Sequence, residues 1–273
     1  MKFSKFLAAS CFAVALFPAG RGAQAADLPS FIQDGVLKVC TAGDFPPMQF
    51  YKSPEDKEMV GYEIDVVNAL AKRWNAKTDY VVSDFKGLLP SLDAQRCGLV
   101  ASGILILPAR LERYDGVGHF STSVVLVTPA SSDIKSPDQL SGQTVAIEAG
   151  TNYEKTATEM NKKFAGEGKP EMVVQTYPGS SGVIEQILIG RAAATITQDT
   201  TAAYRGAQVP GRLAVPYVYP DPEVYGLYIR KSPDDLAKLK EALKAIKASG
   251  EIGAALSKWN LRASSADILD QAN

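Results

Sequence analysis

Short β-prone runs alternate with helical stretches along the chain, and the alternation occurs twice. The run from Leu37 to Thr41 is followed by a helical pattern from about Glu63, where apolar residues recur every three to four positions. After a break, a second strand-like run at 144–147 precedes a helical pattern over 152–164. Strands separated by helices form right-handed parallel βαβ units. The sequence therefore predicts an α/β protein.

The break between the two runs predicts two lobes. We expect the chain to cross between them near 124–130 and again near 213–220. This divides the mature chain into a first lobe of residues 26–127 and 219–273 and a second lobe of residues 128–218. Ligands of open parallel sheets bind beyond the carboxyl ends of the strands. We therefore expect the binding site in the cleft where the two lobes face each other.

The N-terminus predicts export. Two lysines near the start precede an uncharged apolar run from Phe6 to Phe17, and small residues follow up to Ala25. This order is typical of a secretory signal peptide, and the apolar run is too short for a permanent membrane anchor. We expect residues 1–25 to be the signal peptide and the mature protein to be periplasmic.

The charge balance argues against two classes of partner. The chain has 29 basic and 30 acidic residues, and removal of residues 1–25 takes away three basic residues and no acidic one. A mildly acidic surface does not suit nucleic acid or an anionic membrane. We therefore expect neither as a partner.

Cysteine and histidine are too scarce for most metal or catalytic sites. His119 is the single histidine and there is no CxxC pattern, so we expect no metal and no cofactor. Cys40 and Cys97 are the cysteines outside the predicted signal peptide. They have two interpretations: a disulfide, which an oxidising compartment permits, or two buried reduced residues. The sequence favours the second and leaves the first open.

An ordered set of segments resembles one protein family. Residues 37–50 are similar to its opening strand and aromatic–proline turn, and Gly61–Val66 matches its G-[FY]-[DE]-[IV]-[DE]-[LV] pattern. Ser102–Arg110 lines up with its S-G-x-T-I-T-x-x-R loop, and 84–92 and 224–231 also resemble it. The family is solute-binding family 3 of ABC transporters, the periplasmic proteins that bind polar amino acids. The resemblance implies a two-lobed type II periplasmic-binding-protein fold, with parallel-rich sheets flanked by helices and a ligand cleft between the lobes.

The resemblance also implies how a ligand's charged groups are held. In the family, the arginine at the position of Arg110 grips the ligand α-carboxylate, because a planar guanidinium binds carboxylate in a bidentate manner. Asp199 matches the second-lobe carboxylate that receives the ligand ammonium. Thr151 and Asn152 start a helix, whose free backbone N–H groups form an anion site. A zwitterion held by both lobes favours their closure.

Other matching positions surround the ligand's side chain. Phe45 and Phe85 match two aromatics that flank the side chain in lysine/arginine/ornithine-type binders, where aromatic faces offer apolar area. Gly103 and Leu105 lie in the loop that leads to Arg110.

Three departures from the family pattern bear on the ligand. Leu105 and Leu107 stand where the pattern has hydroxyl residues, and Ala42 stands where basic-ligand binders carry an aspartate. Because a buried charge needs a partner, these changes disfavour a cationic side chain. We therefore expect an amino-acid-like solute with an apolar or aromatic side chain.

These residues predict the solute-binding component of an ABC importer, a non-enzymatic monomer that closes about a hinge. Its expected partners are a small carboxylate-bearing, amino-acid-like solute and a membrane permease. One alternative is a periplasmic enzyme similar to the cyclohexadienyl dehydratases, which 41–45 and 150–152 resemble, although Ala202 replaces that branch's acidic residue. The other is a solute-sensing module for a membrane receptor, which the sequence does not separate from a transporter component.

Overall fold

The computed structural model describes residues 28–271, so the predicted signal peptide lies outside the described residues. The strands are β1 (Ile32–Gln33), β2 (Val36–Thr41), β3 (Asp44–Phe45), β4 (Gln49–Phe50), β5 (Lys77–Val82), β6 (Leu99–Val100), β7 (Tyr114–Pro129), β8 (Thr144–Glu148), β9 (Val173–Tyr177), β10 (Thr195–Gln198) and β11 (Leu213–Arg230). The α-helices are α1 (Tyr62–Arg73), α2 (Leu88–Asp93), α3 (Pro108–Leu111), α4 (Asn152–Gly166), α5 (Ser180–Leu188), α6 (Asp199–Gln208), α7 (Pro233–Ala248), α8 (Glu251–Lys258) and α9 (Ile268–Gln271).

Helix α1 forms where its apolar spacing predicts. Val66, Val67 and Leu70 are buried on the face that packs into the core. The helix begins after Gly61, whose φ of 139° lies where residues with a side chain rarely go. A Cβ there would also lie 2.1 Å from the carbonyl oxygen of Met48. Because Gly61 has no side chain, the first turn of α1 lies close to the strands of the first lobe.

The main sheet is mixed. Within the described residues its strand order is β1-β2-β6-β11-β7-β10, with β5 paired to β2. The expectation of parallel-rich sheets holds for β2 with β5 and β6, and for the separate pair β8–β9. The remaining pairs of the main sheet are antiparallel: β1 with β2, β10 with β7, and β11 with both β6 and β7.

Strands β7 and β11 are continuous through the regions that the sequence predicts as crossings between lobes. They have 16 and 18 residues, and their pairing extends from Tyr114↔Arg230 to Pro129↔Leu213. The register shifts between Val218 and Pro222, where the prolines of β11 have no N–H to donate to the ladder. The two lobes are therefore joined by one interrupted two-stranded ribbon.

The two largest apolar clusters of the described residues lie on either side of this interruption. The larger joins residues from both ends of the chain, among them Leu37, Val67, Leu99, Leu227 and Leu243. The smaller is formed by the middle of the chain, among others Leu140, Val145, Ile147, Phe164 and Ile196. Val124 and Leu126 of β7 pack in the smaller core, although the predicted division assigns 124–127 to the first lobe. The other predicted lobe bounds stay predictions.

Cys40 and Cys97 form a disulfide, so the favoured expectation of two reduced cysteines is wrong. Cys40 lies in β2, and Cys97 precedes β6, which pairs parallel with β2. Both residues are buried in one apolar cluster with Leu88 and Leu92. Neighbouring parallel strands bring the two cysteines together across a separation of 57 residues, a pairing that sequence spacing does not reveal.

No helix within residues 28–271 is both long and apolar enough to cross a membrane.

The disulfide gives a prediction about stability. Replacing both cysteines (Cys40→Ala with Cys97→Ala) should lower the free energy of unfolding by about 2–4 kcal/mol, because the cross-link restricts the unfolded chain. Urea denaturation of the oxidised wild type, the reduced wild type and the double variant measures this. The double variant serves as the control, since a reductant should not move its midpoint. A wild-type midpoint that is insensitive to complete reduction would contradict the prediction.

Candidate functional site

Small-molecule sites occur preferentially at domain interfaces, and a cavity lies between the two lobes. Residues from both lobes line it: Ala42, Phe45, Phe85, Ser102, Gly103, Leu105 and Arg110 from the first, and Glu148, Thr151, Asn152, Tyr153 and Gln198 from the second. The cavity brings together all the predicted site residues except Asp199. Their role in binding stays a prediction.

Arg110 is held by backbone that belongs to the first lobe. It lies on the short helix α3, and its Nη1 donates a hydrogen bond of 2.9 Å to the carbonyl oxygen of Leu105. The Tyr228 hydroxyl donates to the same oxygen at 2.7 Å. Burial lowers the pKa of the Arg110 guanidinium. No carboxylate among residues 28–271 forms an ion pair with it, so it presents free charged donors.

The loop before Arg110 is fixed by a buried acid. Glu63 of α1 is 0% exposed, and its Oε2 accepts the backbone N–H of Gly103 at 2.7 Å. Its Oε1 lies 2.8 Å from Nε2 of His119, which is also 0% exposed and belongs to β7. Hydrogen bonds compensate a buried carboxylate for its lost hydration. Glu63 thereby ties together α1, the cavity loop and the long strand β7.

Gly103 is required where it stands. Its φ of 58° is left-handed, and a Cβ on it would lie 2.5 Å from Cε1 of Phe45. Phe45 is itself 6% exposed and packs edge-on against Tyr225. The aromatic wall of the cavity is therefore continuous with the core of the first lobe.

The start of α4 faces the cavity from the second lobe. The Thr151 hydroxyl donates to the carbonyl oxygen of Glu148 at 2.8 Å, so its proton is used within the turn. The Gly150 N–H donates to Glu154 Oε1 at 3.1 Å. The first N–H groups of an α-helix have no acceptor within the helix, so Asn152 and its successor offer anion-binding donors through their backbone.

Asp199 is not among the residues that line the cavity, and its predicted role in binding stays a prediction. Its Oδ1 accepts the Thr122 hydroxyl at 2.8 Å and the Ser123 N–H at 3.3 Å, and its Oδ2 accepts Arg262 Nη2 at 2.8 Å. Gln198 lines the cavity instead. Gln198 ends β10 and Asp199 begins α6, and successive side chains at a strand end point to different faces.

Sequence reasoning missed the second-lobe wall formed by Glu148, Tyr153 and Gln198. Glu148 is the last residue of β8, directly before the recognised Gly150–Asn152 segment, so its place at a strand end was an available signal. Burial, and to a smaller extent the negative charge of Asp44, raise the pKa of Glu148 to about 8.

A chain of hydrogen bonds runs behind this wall. Gln198 Nε2 donates to the Tyr153 hydroxyl, which in turn donates to Glu223 Oε2 at 3.1 Å. Burial raises the pKa of Tyr153 far above its usual range and raises that of Glu223 as well. The positive charge of Arg110 opposes the shift of Glu223. Glu223, on β11, thus partly balances Arg110 from behind the cavity.

The lobes touch each other beside the cavity. The Ser180 hydroxyl donates to the carbonyl oxygen of Asp44 at 2.6 Å, and the Ser181 N–H donates to Asp44 Oδ2 at 3.1 Å. Arg205 Nη2 lies 3.6 Å from Asp44 Oδ1. Asp44 belongs to β3 of the first lobe, whereas its partners belong to α5 and α6 of the second. A carboxylate at the start of α5 is favoured by the helix dipole, so these contacts stabilise a closed arrangement.

Comparisons with known proteins agree with this architecture. A model of the family described as bacterial extracellular solute-binding proteins, family 3, matches residues 37–262. The L-cystine-binding protein TcyA of Bacillus subtilis (strain 168) is 27% identical over 266 residues, covering 93% of this chain and 94% of the relative.

Two solved structures extend the comparison. An ancestral arginine-binding protein bound to arginine is similar with a TM-score of 0.75 and 27% identity, over 82% of this chain and 98% of that chain. The ancestral amino acid-binding protein AncCDT-1, a precursor of cyclohexadienyl dehydratase, has a TM-score of 0.71 and 27% identity, over 82% and 95%. The predicted two-lobed type II periplasmic-binding-protein fold is confirmed.

The contacts of Asp44 give a prediction about closure. Asp44→Ala should shift the equilibrium between closed and open arrangements toward the open one by about 1–2 kcal/mol, because charge-assisted hydrogen bonds and a helix-dipole contact are lost. Small-angle X-ray scattering should then give a larger radius of gyration. Asp79→Ala, which removes an exposed carboxylate of β5 in the same lobe, is the matched control. Equal radii for all three proteins would contradict a role of Asp44 in holding the lobes together.

Proposed function

The chain belongs to family 3 of the bacterial extracellular solute-binding proteins, and we propose that it captures a small, carboxylate-bearing, amino-acid-like solute in the periplasm for an ABC importer. Its relatives include proteins named for the binding of cystine, arginine and histidine. The protein delivers its solute to the membrane permease of that importer.

The observation that carries the proposal is the unpaired guanidinium of Arg110 in the interlobe cavity. Arg110 is partly removed from water, and no carboxylate of the described residues lies within ion-pair distance of it, although the charge of Glu223 acts on it from farther away. Such a cation is unfavourable without a ligand. A carboxylate supplies the missing partner and matches the two parallel N–H donors of arginine. The backbone N–H groups at the start of α4 add donors from the opposite lobe.

Closure follows from this division of donors between the lobes. The solute docks on the first lobe through Arg110, and the second lobe closes over it with Thr151 and Asn152 as the ribbon of β7 and β11 bends. A ligand that contacts both lobes binds the closed arrangement better and shifts the population toward it. The contacts of Asp44 with α5 then hold the closed state.

We propose an apolar or aromatic side chain for the solute. Ala42, Phe45, Phe85 and Leu105 line the first-lobe side of the cavity, and none of them offers a charge to a cationic side chain. A cationic side chain on this first-lobe side would meet no carboxylate, because the acid of the cavity lining, Glu148, belongs to the second lobe.

We propose a binding protein rather than an enzyme. Ala202, at the position of the acid in the dehydratase branch, is 5% exposed and packs with Val125, Val127 and Ile184. The leaving group of a dehydration has no proton donor at that position.

Arg110→Ala should weaken solute binding by about 2–5 kcal/mol, because the ligand carboxylate is then buried without its charged partner. This corresponds to a loss of roughly 30-fold or more. Isothermal titration calorimetry with leucine and phenylalanine measures it. The affinity of Arg110→Lys should lie between those of the wild type and Arg110→Ala, because lysine keeps the positive charge and lacks the planar pair of N–H donors. Arg113→Ala, which removes an exposed arginine paired to Asp93, is the control. An Arg110→Ala variant with undiminished affinity would remove the proposal.

The side-chain preference has its own test. Wild-type protein should bind leucine or phenylalanine at least tenfold more tightly than lysine or arginine, and Ala42→Asp should reverse part of this difference by supplying an acid to a basic side chain. Competition against a bound fluorescent amino acid, or calorimetry, gives the ratio. Ala42→Asn, which adds the same volume without the charge, should not reverse it. Tight binding of lysine by the wild type would contradict the proposed apolar or aromatic side chain, but it would leave the proposed binding of the carboxylate unaffected.

A further inference from the structure

Glu63 and His119 form a buried pair behind the first-lobe wall of the cavity. Both side chains are 0% exposed, and neither is among the residues that line the cavity. Glu63 Oε1 lies 2.8 Å from His119 Nε2, and Glu63 Oε2 accepts the N–H of Gly103 at 2.7 Å. Gly103 does line the cavity. The pair is therefore connected to the cavity through the backbone amide of Gly103.

The surroundings of the His119 ring determine which of its nitrogen atoms carries the proton. Nδ1 is buried and has no hydrogen-bond partner among residues 28–271. A proton on Nδ1 would find no acceptor there, whereas a proton on Nε2 is donated to Glu63 Oε1. The ring of Tyr62 stacks on the imidazole and keeps it in this orientation. His119 is therefore a neutral donor, and Glu63 is an ionised carboxylate that accepts two N–H groups.

Gly103 lies near the beginning of the loop that leads to Arg110. Glu63 holds the Gly103 amide, and farther along the loop the Ile106 N–H donates to the backbone of β11 at 2.7 Å. The carbonyl of Leu105, between these two residues, accepts Arg110 Nη1. Loss of the Glu63 carboxylate would therefore free the Gly103 amide and leave the later part of the loop bonded to β11.

The direction of the Gly103 amide also shapes the cavity wall. In a trans peptide the N–H and the preceding C=O point in opposite directions, so the bond to Glu63 turns the carbonyl of Ser102 away from α1. Ser102 and Gly103 both line the cavity. A Cβ on Gly103 would lie 2.5 Å from Phe45, so this backbone packs directly on the aromatic wall. Rotation of the peptide would therefore change the polar and the apolar lining together.

We propose that Glu63 is a positioning residue for solute binding and that His119 orients it. This rests on the proposed capture of a solute in the interlobe cavity. The pair does not touch the solute; it holds the Gly103 amide, and with it the wall that the solute contacts, in one arrangement before the solute enters. A site that is already arranged for its ligand loses less conformational freedom on binding. Removal of the carboxylate should therefore weaken binding although every residue of the cavity lining is unchanged.

His119 can be observed directly, because it is the single histidine of the chain. Protein that is labelled with ¹⁵N-histidine and carries no histidine tag gives the NMR signals of one imidazole ring. Near neutral pH these signals should show a neutral ring with its proton on Nε2. In Glu63→Gln the side-chain amide keeps its oxygen for Gly103 and turns its nitrogen, a donor, to the ring, so the proton should move to Nδ1. An imidazolium, or a proton on Nδ1, in the wild type would overturn the role of His119 as the donor.

Isothermal titration calorimetry with leucine and phenylalanine measures the effect on binding. Glu63→Ala should weaken the binding of both by about tenfold or more, because the Gly103 N–H loses a charged acceptor. Glu63→Gln, which keeps an acceptor for that N–H, should lose less affinity than Glu63→Ala. His119→Phe, which keeps a ring against Tyr62 and removes the donor, should weaken binding by about threefold. A Glu63→Ala variant with the affinity of the wild type would overturn the proposal.

Asp235→Ala separates positioning from a general loss of stability. Asp235 is a buried acid of α7, 5% exposed, that accepts the Ser30 N–H at 2.7 Å and does not line the cavity. Its variant should lower the midpoint of urea denaturation and keep the affinity of the wild type, whereas Glu63→Ala should lower both. Equal losses of affinity in the two variants would overturn the proposal. If Glu63→Ala does not fold, His119→Phe takes its place, and undiminished affinity in that variant would overturn the proposal.

The two proposals fail in different ways. If the wild type binds no amino acid, solute capture is wrong and the role of Glu63 in binding is wrong with it. If Arg110→Ala loses affinity and Glu63→Ala does not, solute capture stands and positioning by Glu63 is overturned.

Discussion

The antiparallel pairing of β7 with β11 is the interaction on which the two-lobed shape depends. Its ladder runs from the core of the first lobe into the core of the second, so both lobes share one hydrogen-bonded ribbon. The ladder is interrupted at 219–221, where the register shifts. The register also shifts between Ala214 and Tyr217 and between Tyr225 and Gly226. The break at 219–221 separates the pairs that lie in the two cores, so it is the place where we expect the ribbon to bend when the lobes close.

The charges of the site are distributed according to this geometry. Arg110 is held by the Leu105 carbonyl in the first lobe, and Glu63 fixes the start of the same loop through the Gly103 N–H. The second lobe contributes the start of α4 and the carboxylate of Glu148. Arg110 of the first lobe and Glu148 of the second thus line one cavity, and neither forms an ion pair with another of the described residues. Because burial disfavours an ionised group without a partner, the stability of the closed state depends on what occupies the cavity.

Local sequence patterns predicted most of the helices and strands. Contacts between residues far apart in the sequence were not predicted. Helices α1 and α4 were predicted because their apolar faces repeat with the helical period over three or more turns. The full length of β11 was missed because its three prolines are typical of turns. The disulfide depends on β2 lying beside β6, a contact between residues far apart in sequence. In the site, Arg110 and Phe45 followed from the motif, whereas the direction of Asp199 depends on where β10 ends, which the sequence does not specify to one residue.

Gly103 sets a limit on how the binding preference of such a chain changes during evolution. Its left-handed backbone and its contact with Phe45 leave no room for a side chain, so substitutions there damage the loop before they alter the ligand. Ala42 and Leu105, on either side of it in the cavity lining, are ordinary side-chain positions. We therefore expect a lineage that acquires a new solute to keep a glycine at this position and to vary at Ala42 and Leu105.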